Sequence, residues 1–150
     1  MDIRYCAGIF DADGMVQITK WKKPNSPHVR YQLRCHVGQV CPDVPKLFTE
    51  KFGGSLHFND ASKYNKNARG TYNWYCSSQK GRNFLESILP YLIIKKDQAE
   101  LAIQLQDNIN EYKFKLGNQY NFHENRDEIL AFREDLYQKI KALKVQKYPP

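Results

Sequence analysis

The chain has 150 residues and a formal net charge of +7, with 41% hydrophobic and 26% charged residues. That length suits one domain over 1–150 with its own core, and the composition argues against disorder. No run of eighteen apolar residues offers a transmembrane helix, and Met1-Asp2-Ile3-Arg4 lacks the order of a secretory signal. Four cysteines (Cys6, Cys35, Cys41, Cys76) form no C-x-x-C pair and read as small buried thiols of a reducing, intracellular setting. The basic excess, with 13% aromatics, points to an anionic partner, nucleic acid above all.

In chain order, residues 2–13 read as a helix ending at Gly14, a glycine suited to the left-handed C-terminal conformation. Residues 15–21 alternate, with Val16 and Ile18 on one side and Gln17, Thr19 and Trp21 on the other. Pro24, Asn25, Ser26 and Pro27 supply turn chemistry. From Arg30 to Val37 the alternation sharpens: Arg30, Gln32, Arg34 and His36 oppose Tyr31, Leu33, Cys35 and Val37. Together these segments predict a hairpin with one apolar and one basic face.

A helix follows from Pro42 to Phe52, with proline at its first turn, a stripe of Val44, Leu47, Phe48 and Phe52, and Gly53-Gly54 beyond. Ser55–Asp60 and Thr71–Ser77 form a second hairpin across the basic loop 61–70. Its register stays open, because one residue of slip exchanges Tyr72/Trp74 for Asn73/Tyr75 on the outer face, with His57 or Phe58 and Asn59 beside them. Helices over 80–89 and 95–109 are separated near Pro90. The last begins at Asn125 with Glu128 three residues on, a capping box, and runs through Ile129, Phe132, Leu136, Ile140 and Leu143. The αββαββα order with further helices predicts an α+β fold: an antiparallel four-stranded sheet with helices on one face.

The charge is concentrated. Lys20, Lys22, Lys23, Arg30 and Arg34 fall in a stretch with no Asp or Glu between Gly14 and Pro42. A solvated strand exterior normally mixes both signs, so Gln17, Thr19, Trp21, Lys23, Arg30, Gln32, Arg34 and His36 read as a nucleic-acid-binding face in preference to a merely solvated one. Arg and Gln suit guanine and adenine edges, and a two-stranded ribbon fits the major groove. Lys63, Lys66 and Arg69 suit phosphate contacts, and Lys139, Lys141, Lys144 and Lys147 make the C-terminus basic. Against this background Asp11 and Asp13 stand at a helix C-terminus, where the dipole disfavours acids. Either they hold Mg2+ against phosphate oxygens, or D-x-D-G is turn chemistry. His28, His36, His57 and His123 have no zinc-ligand spacing, and no Ser-His-Asp set competes.

Cys6-Ala7-Gly8-Ile9-Phe10-Asp11-Ala12-Asp13-Gly14 resembles the motif of the LAGLIDADG homing endonucleases. Six positions match by letter, and Cys6, Ile9 and Phe10 replace Leu, Leu and Ile with apolar residues. The resemblance is greatest to single-motif members encoded in organellar introns, and it extends over nearly the whole chain. It implies a homodimer in which Gly8, Asp11 and Ala12 serve the helix end and interface, with Ile3, Cys6, Ile9 and Phe10 turned to the core. It also implies that Asp13 binds the catalytic Mg2+, Gln39 organises solvent, and Lys95 or the adjacent Lys96 is the active-site lysine. The second basic residue that some relatives carry after Gln39 is replaced here by Val40, Cys41, Pro42 and Asp43.

The activity so implied is site-specific double-strand cleavage of a long pseudo-palindromic DNA target by metal-dependent hydrolysis, leaving short 3′ overhangs. No membrane and no small-molecule substrate is expected. The competing readings are a non-cleaving RNA-binding maturase on the same fold and a basic protein that only dimerises. A metal-ready acid beside Gln39 and Lys95 favours the nuclease, and the acid-free ribbon disfavours mere dimerisation.

Overall fold

Alternation of apolar and polar residues in the strands decides which side of the sheet the helices can cover. The computed structural model of the protein describes residues 2–25, 29–112 and 125–145. His28, His123 and Lys147, and the Ser26-Pro27 part of the expected turn, lie outside the described residues. The elements run α1 (Ile3–Asp13), β1 (Gly14–Lys22), β2 (Val29–Gln39), α2 (Asp43–Phe52), β3 (Ser55–Asn59) and β4 (Thr71–Ser77). Then follow α3 (Ser78–Ile88), α4 (Lys96–Glu111) and α5 (Arg126–Lys144), with 3-10 turns at Ala61–Lys63 and Leu89–Tyr91.

The four strands form one antiparallel sheet in the order β1-β2-β4-β3. Val16, Ile18, Tyr31, Leu33, Cys35, Val37, Trp74 and Cys76 are buried on one face, in a cluster with Phe10, Phe48, Phe84, Leu85, Leu105, Leu136 and Ile140 of the helices. Trp74 lies at the centre. Its ring meets Phe48 and Phe84 edge-on at 5.1 and 5.0 Å, and its indole N–H donates to the Gly53 carbonyl at 2.7 Å. This anchor settles the register of the second hairpin: Trp74 faces the core, and Asn73 and Tyr75 lie on the opposite face with His57 and Asn59.

Several local expectations are corrected. Gly14 is extended (φ −81°, ψ 163°), not left-handed, and α1 passes into β1 with no intervening loop. Glycine is needed for close approach, since a Cβ would stand 2.3 Å from Phe10 Cδ2 and 2.6 Å from the Phe10 carbonyl oxygen. Pro42 is the cap of α2 and not its first helical residue. Strand β4 likewise enters α3 without a loop, so that helix starts at Ser78. Asn125 takes the cap position of α5, but its side chain makes no capping bond. On α5 Phe132 is 42% exposed and Arg133 is buried, the reverse of the apolar stripe. The reason is polar: Arg133 donates to Asn108 Oδ1 at 2.7 Å and to the Tyr112 carbonyl at 3.2 Å, closing the C-terminal end of α4. Cys6, Cys35 and Cys76 are buried thiols, whereas Cys41 is exposed. Among the described residues no helix is long and apolar enough to cross a membrane.

Helix α5 is held to the sheet by Glu134. Its carboxylate accepts a hydrogen bond from the Tyr31 hydroxyl, lies 2.9 Å from Lys20 Nζ and accepts from Gln138 at 2.9 Å. These interactions, the Tyr31 bond first, push its pKa down from the ordinary 4.5 to about 2. A carboxylate depressed in the folded state adds stability that is fully present above pH 4.5 and is lost as pH falls towards 2. Glu134→Gln should therefore be less stable than the parent at pH 6, and the gap should shrink on acidification to pH 2.5. Thermal melts across that range check the difference.

Candidate nucleic-acid interface and active site

The register fixes the face opposite the helices. Gln17 pairs with Arg34, Thr19 with Gln32, Trp21 with Arg30, and Met15 with His36, so both strands present these side chains to the same side. The adjoining strand adds Asn73 and Tyr75, the latter directly opposite His36. Thr19 Oγ1 donates to the Gln32 carbonyl at 3.3 Å, and the Gln32 amide donates to Ser78 Oγ at 3.1 Å. Trp21 is 40% exposed near the end of the hairpin. Lys23 follows β1 and is exposed, as are Lys63, Lys66 and Arg69 in the β3–β4 connection. No acid shares this face on β1 or β2, because neither strand contains one.

At the edge of this face α1 ends and two chain segments converge on it. The pairing of Gly14 with Val37 carries the end of β2 alongside, and the Gln39 amide donates to Asp13 Oδ2 at 3.1 Å. Asp13 is exposed. Asp11 is buried and turned the other way: Oδ2 accepts the Ile93 N–H at 2.7 Å and Oδ1 the Lys95 N–H at 3.0 Å. Asp11 therefore spends its carboxylate inside its own chain, at the end of α1. The amides ahead of α4 need an acceptor, and Asp11 supplies it inside its own chain.

The same contact delivers Lys95. Its ammonium donates to the Asp11 carbonyl oxygen, is half-buried, and feels the charges of both Asp11 and Asp13. Burial lowers its pKa from the ordinary 10.5, and the two aspartates oppose that shift. Lys96 is exposed at the start of α4, and none of the described hydrogen bonds or ion pairs ties it to this cluster. The structure thus brings Asp13, Gln39 and Lys95 together.

The outer stripe of α1 carries Tyr5, Gly8 and Ala12, all exposed, while Cys6, Ala7 and Phe10 are buried and Ile3 and Ile9 pack against the core from partly buried positions. A Cβ at Gly8 would meet nothing within 4 Å, so the protomer itself does not require glycine there. Beside the stripe Ile93 and Ile94 are 86% and 61% exposed.

Two contributors were not read from the sequence. Lys144 belongs to the same neighbourhood: partial burial and the charge of Lys95 lower its pKa, although it keeps solvent contact. Its spacing from the buried Leu136 and Ile140 was the available signal, since the apolar stripe of α5 runs on to it. Asn73 was legible only as one of two registers. Among the described residues no group of three or more His, Cys, Asp or Glu converges as a metal cage. One exposed carboxylate with room for water and phosphate oxygens instead fits Mg2+, which keeps several waters and takes one or two carboxylates.

No family model matches the sequence, and no curated protein matches it. Solved structures match in fold. The homing endonuclease I-CvuI, in complex with the I-CreI target and 2 mM Mg with DNA not cleaved, superposes with TM-score 0.74 at 18% identity, covering 99% of this chain and 85% of that one. The archaeal intron-encoded homing endonuclease I-Vdi141I complexed with DNA gives 0.73 at 18% identity, covering 97% and 86%. The LAGLIDADG homing endonuclease I-GzeII in complex with its DNA target gives 0.63 at 16% identity, covering all of this chain and 52% of that one. The chain therefore has the LAGLIDADG homing-endonuclease fold, with its LAGLIDADG-like segment on α1.

The two aspartates of the segment should separate in stability measurements. Asp11→Asn loses an acceptor for one partly buried amide and should cost about 1–3 kcal/mol. Asp13→Asn, at an exposed site with one partner, should stay within about 0.5 kcal/mol of the parent. Urea denaturation of both variants at pH 7 provides the comparison.

Proposed function

We propose that the chain is one protomer of a homodimeric, Mg2+-dependent, site-specific DNA endonuclease that cuts a long pseudo-palindromic target. The observation that carries this reading is the convergence of Asp13, Gln39 and Lys95 at the edge of a sheet face whose first two strands hold no acid. The DNA-bound solved structures that share the fold support it.

Asp13, with its mate across the twofold axis and the DNA phosphates, would hold the metal. Mg2+ supplies charge stabilisation for the attacking and leaving oxygens of an in-line displacement. The amide of Gln39 holds Asp13 through one N–H, leaving its carbonyl and second N–H to orient the attacking water. Lys95 brings a fixed positive charge towards the phosphate, where negative charge builds in the transition state. Its half-buried site makes that charge weigh more than a solvated lysine's would. Each protomer would cut one strand, leaving short 3′ overhangs. A maturase that only binds RNA has no use for a carboxylate held ready in this way.

The partner copy follows from α1. The Gly8–Ala12 stripe admits a second helix at short range, and Ile93 and Ile94 give it an apolar border.

Asp13→Asn should abolish cutting in Mg2+ while leaving DNA affinity in Ca2+ within a few-fold of the parent; undiminished cutting would remove Asp13 from the chemistry. Gly8→Leu should sediment as a monomer, since its side chain would occupy the space reserved for the partner helix. A Gly8→Leu protein that remains dimeric would refute that packing.

A further inference from the structure

We propose that Tyr75 is a specificity-positioning residue: with Asn73 it seats Arg34 and His36 as a paired reading head. Arg34 selects guanine, and His36 selects a base bearing an exocyclic amino group, adenine or cytosine. This rests on the nuclease reading and refines it to particular base classes.

Tyr75 is half-buried on the open face of β4, across from His36. The His36 imidazole lies on its ring with centroids 4.6 Å apart and planes inclined by 23°. The Arg34 guanidinium carbon is 4.4 Å from the same centroid. An arginine on an exposed strand face ordinarily samples many rotamers, and ordering it on binding weakens affinity. Held on an aromatic face it is ordered beforehand, with its fork of donors left for O6 and N7 of guanine.

For His36 the hydrogen-bond network decides which nitrogen is bare. The Asn73 amide nitrogen donates to the Thr71 carbonyl and to Thr71 Oγ1, both at 3.1 Å. Asn73 therefore offers its oxygen to His36, at 2.9 Å from Nε2, so Nε2 carries the hydrogen. In the neutral ring Nδ1 is then an acceptor, and none of the described hydrogen bonds occupies it. In the major groove an acceptor meets the amino groups of adenine and cytosine, whereas guanine and thymine oppose it with their own acceptor oxygens. Gly38 leaves space for the arrangement, because a Cβ there would come within 2.7 Å of Asn73 Oδ1 and 3.1 Å of His36 Cε1.

The test is selection of bound sites from a randomised double-stranded DNA library in Ca2+. The wild type should enrich a site in which Arg34→Ala relaxes a guanine position and His36→Ala relaxes an adenine-or-cytosine position. Tyr75→Leu should relax both by about tenfold, the scale of one bidentate contact. Tyr75→Phe, which keeps the ring, should restore both, and Asn73→Leu should relax the His36 position alone. Wild-type discrimination retained in Tyr75→Leu, or lost equally in Tyr75→Phe, would overturn the proposal while leaving the nuclease reading intact. A wild-type preference for guanine or thymine at the His36 position would do the same. If the wild type enriches no sequence, both readings fall together.

Discussion

The carboxylate of Asp11 joins two parts of the chain more than eighty residues apart. A buried charge is costly unless donors surround it, and this one accepts the backbone N–H groups of Ile93 and Lys95. In return it fixes the start of α4, and with it the point from which the Lys95 side chain reaches back to the Asp11 carbonyl. The dipole of α1 opposes an acid at that end, so the amides and the ammonium are what make Asp11 tenable there. Asp13, two residues on, falls on the other side of the helix with one side-chain partner, Gln39. Two identical side chains in one short motif are thereby given different work by the direction each faces.

Strand parity does the same for the bases. Lys20 points to the helical side of the sheet and is neutralised by Glu134 of α5. Arg34, on the other parity, rests on the ring of Tyr75 instead of an acid. The ion pairs of the helices, Arg82 with Glu86 and Asp107 and Lys139 with Asp135, likewise use acids away from the open face. The net +7 therefore understates the contrast between the two sides of the molecule.

Most of the architecture was legible from periodicity, because β1 and β2 alternate cleanly and each buries its apolar half. Where the pattern was short it failed to decide: in Thr71–Ser77 both parities carry aromatics, and only the Trp74 anchor on Gly53 selects one. Junctions were less legible for a related reason. Gly14 looks like a helix terminator in one dimension, but it serves a contact with Phe10 that sequence alone does not express. Asp13 and Gln39 could be nominated from the motif and strand order. That Lys95 and not Lys96 lies against Asp11 depends on a backbone amide bond, which leaves no mark in composition or spacing. Arg133 in place of Phe132 is a similar case, since a helical stripe is read from hydropathy and the demand for a donor at the end of α4 is not.

The passage from α1 into β1 has no loop, and Gly14 is wedged against Phe10 at the joint. There is consequently no hinge between the helix that would meet a second copy and the strands that would enter the groove. In a twofold particle the two sheets behave as jaws of a caliper welded at the axis. One extra base pair between half-sites turns the distal one by roughly a tenth of a helical turn, and this joint has no slack with which to follow it.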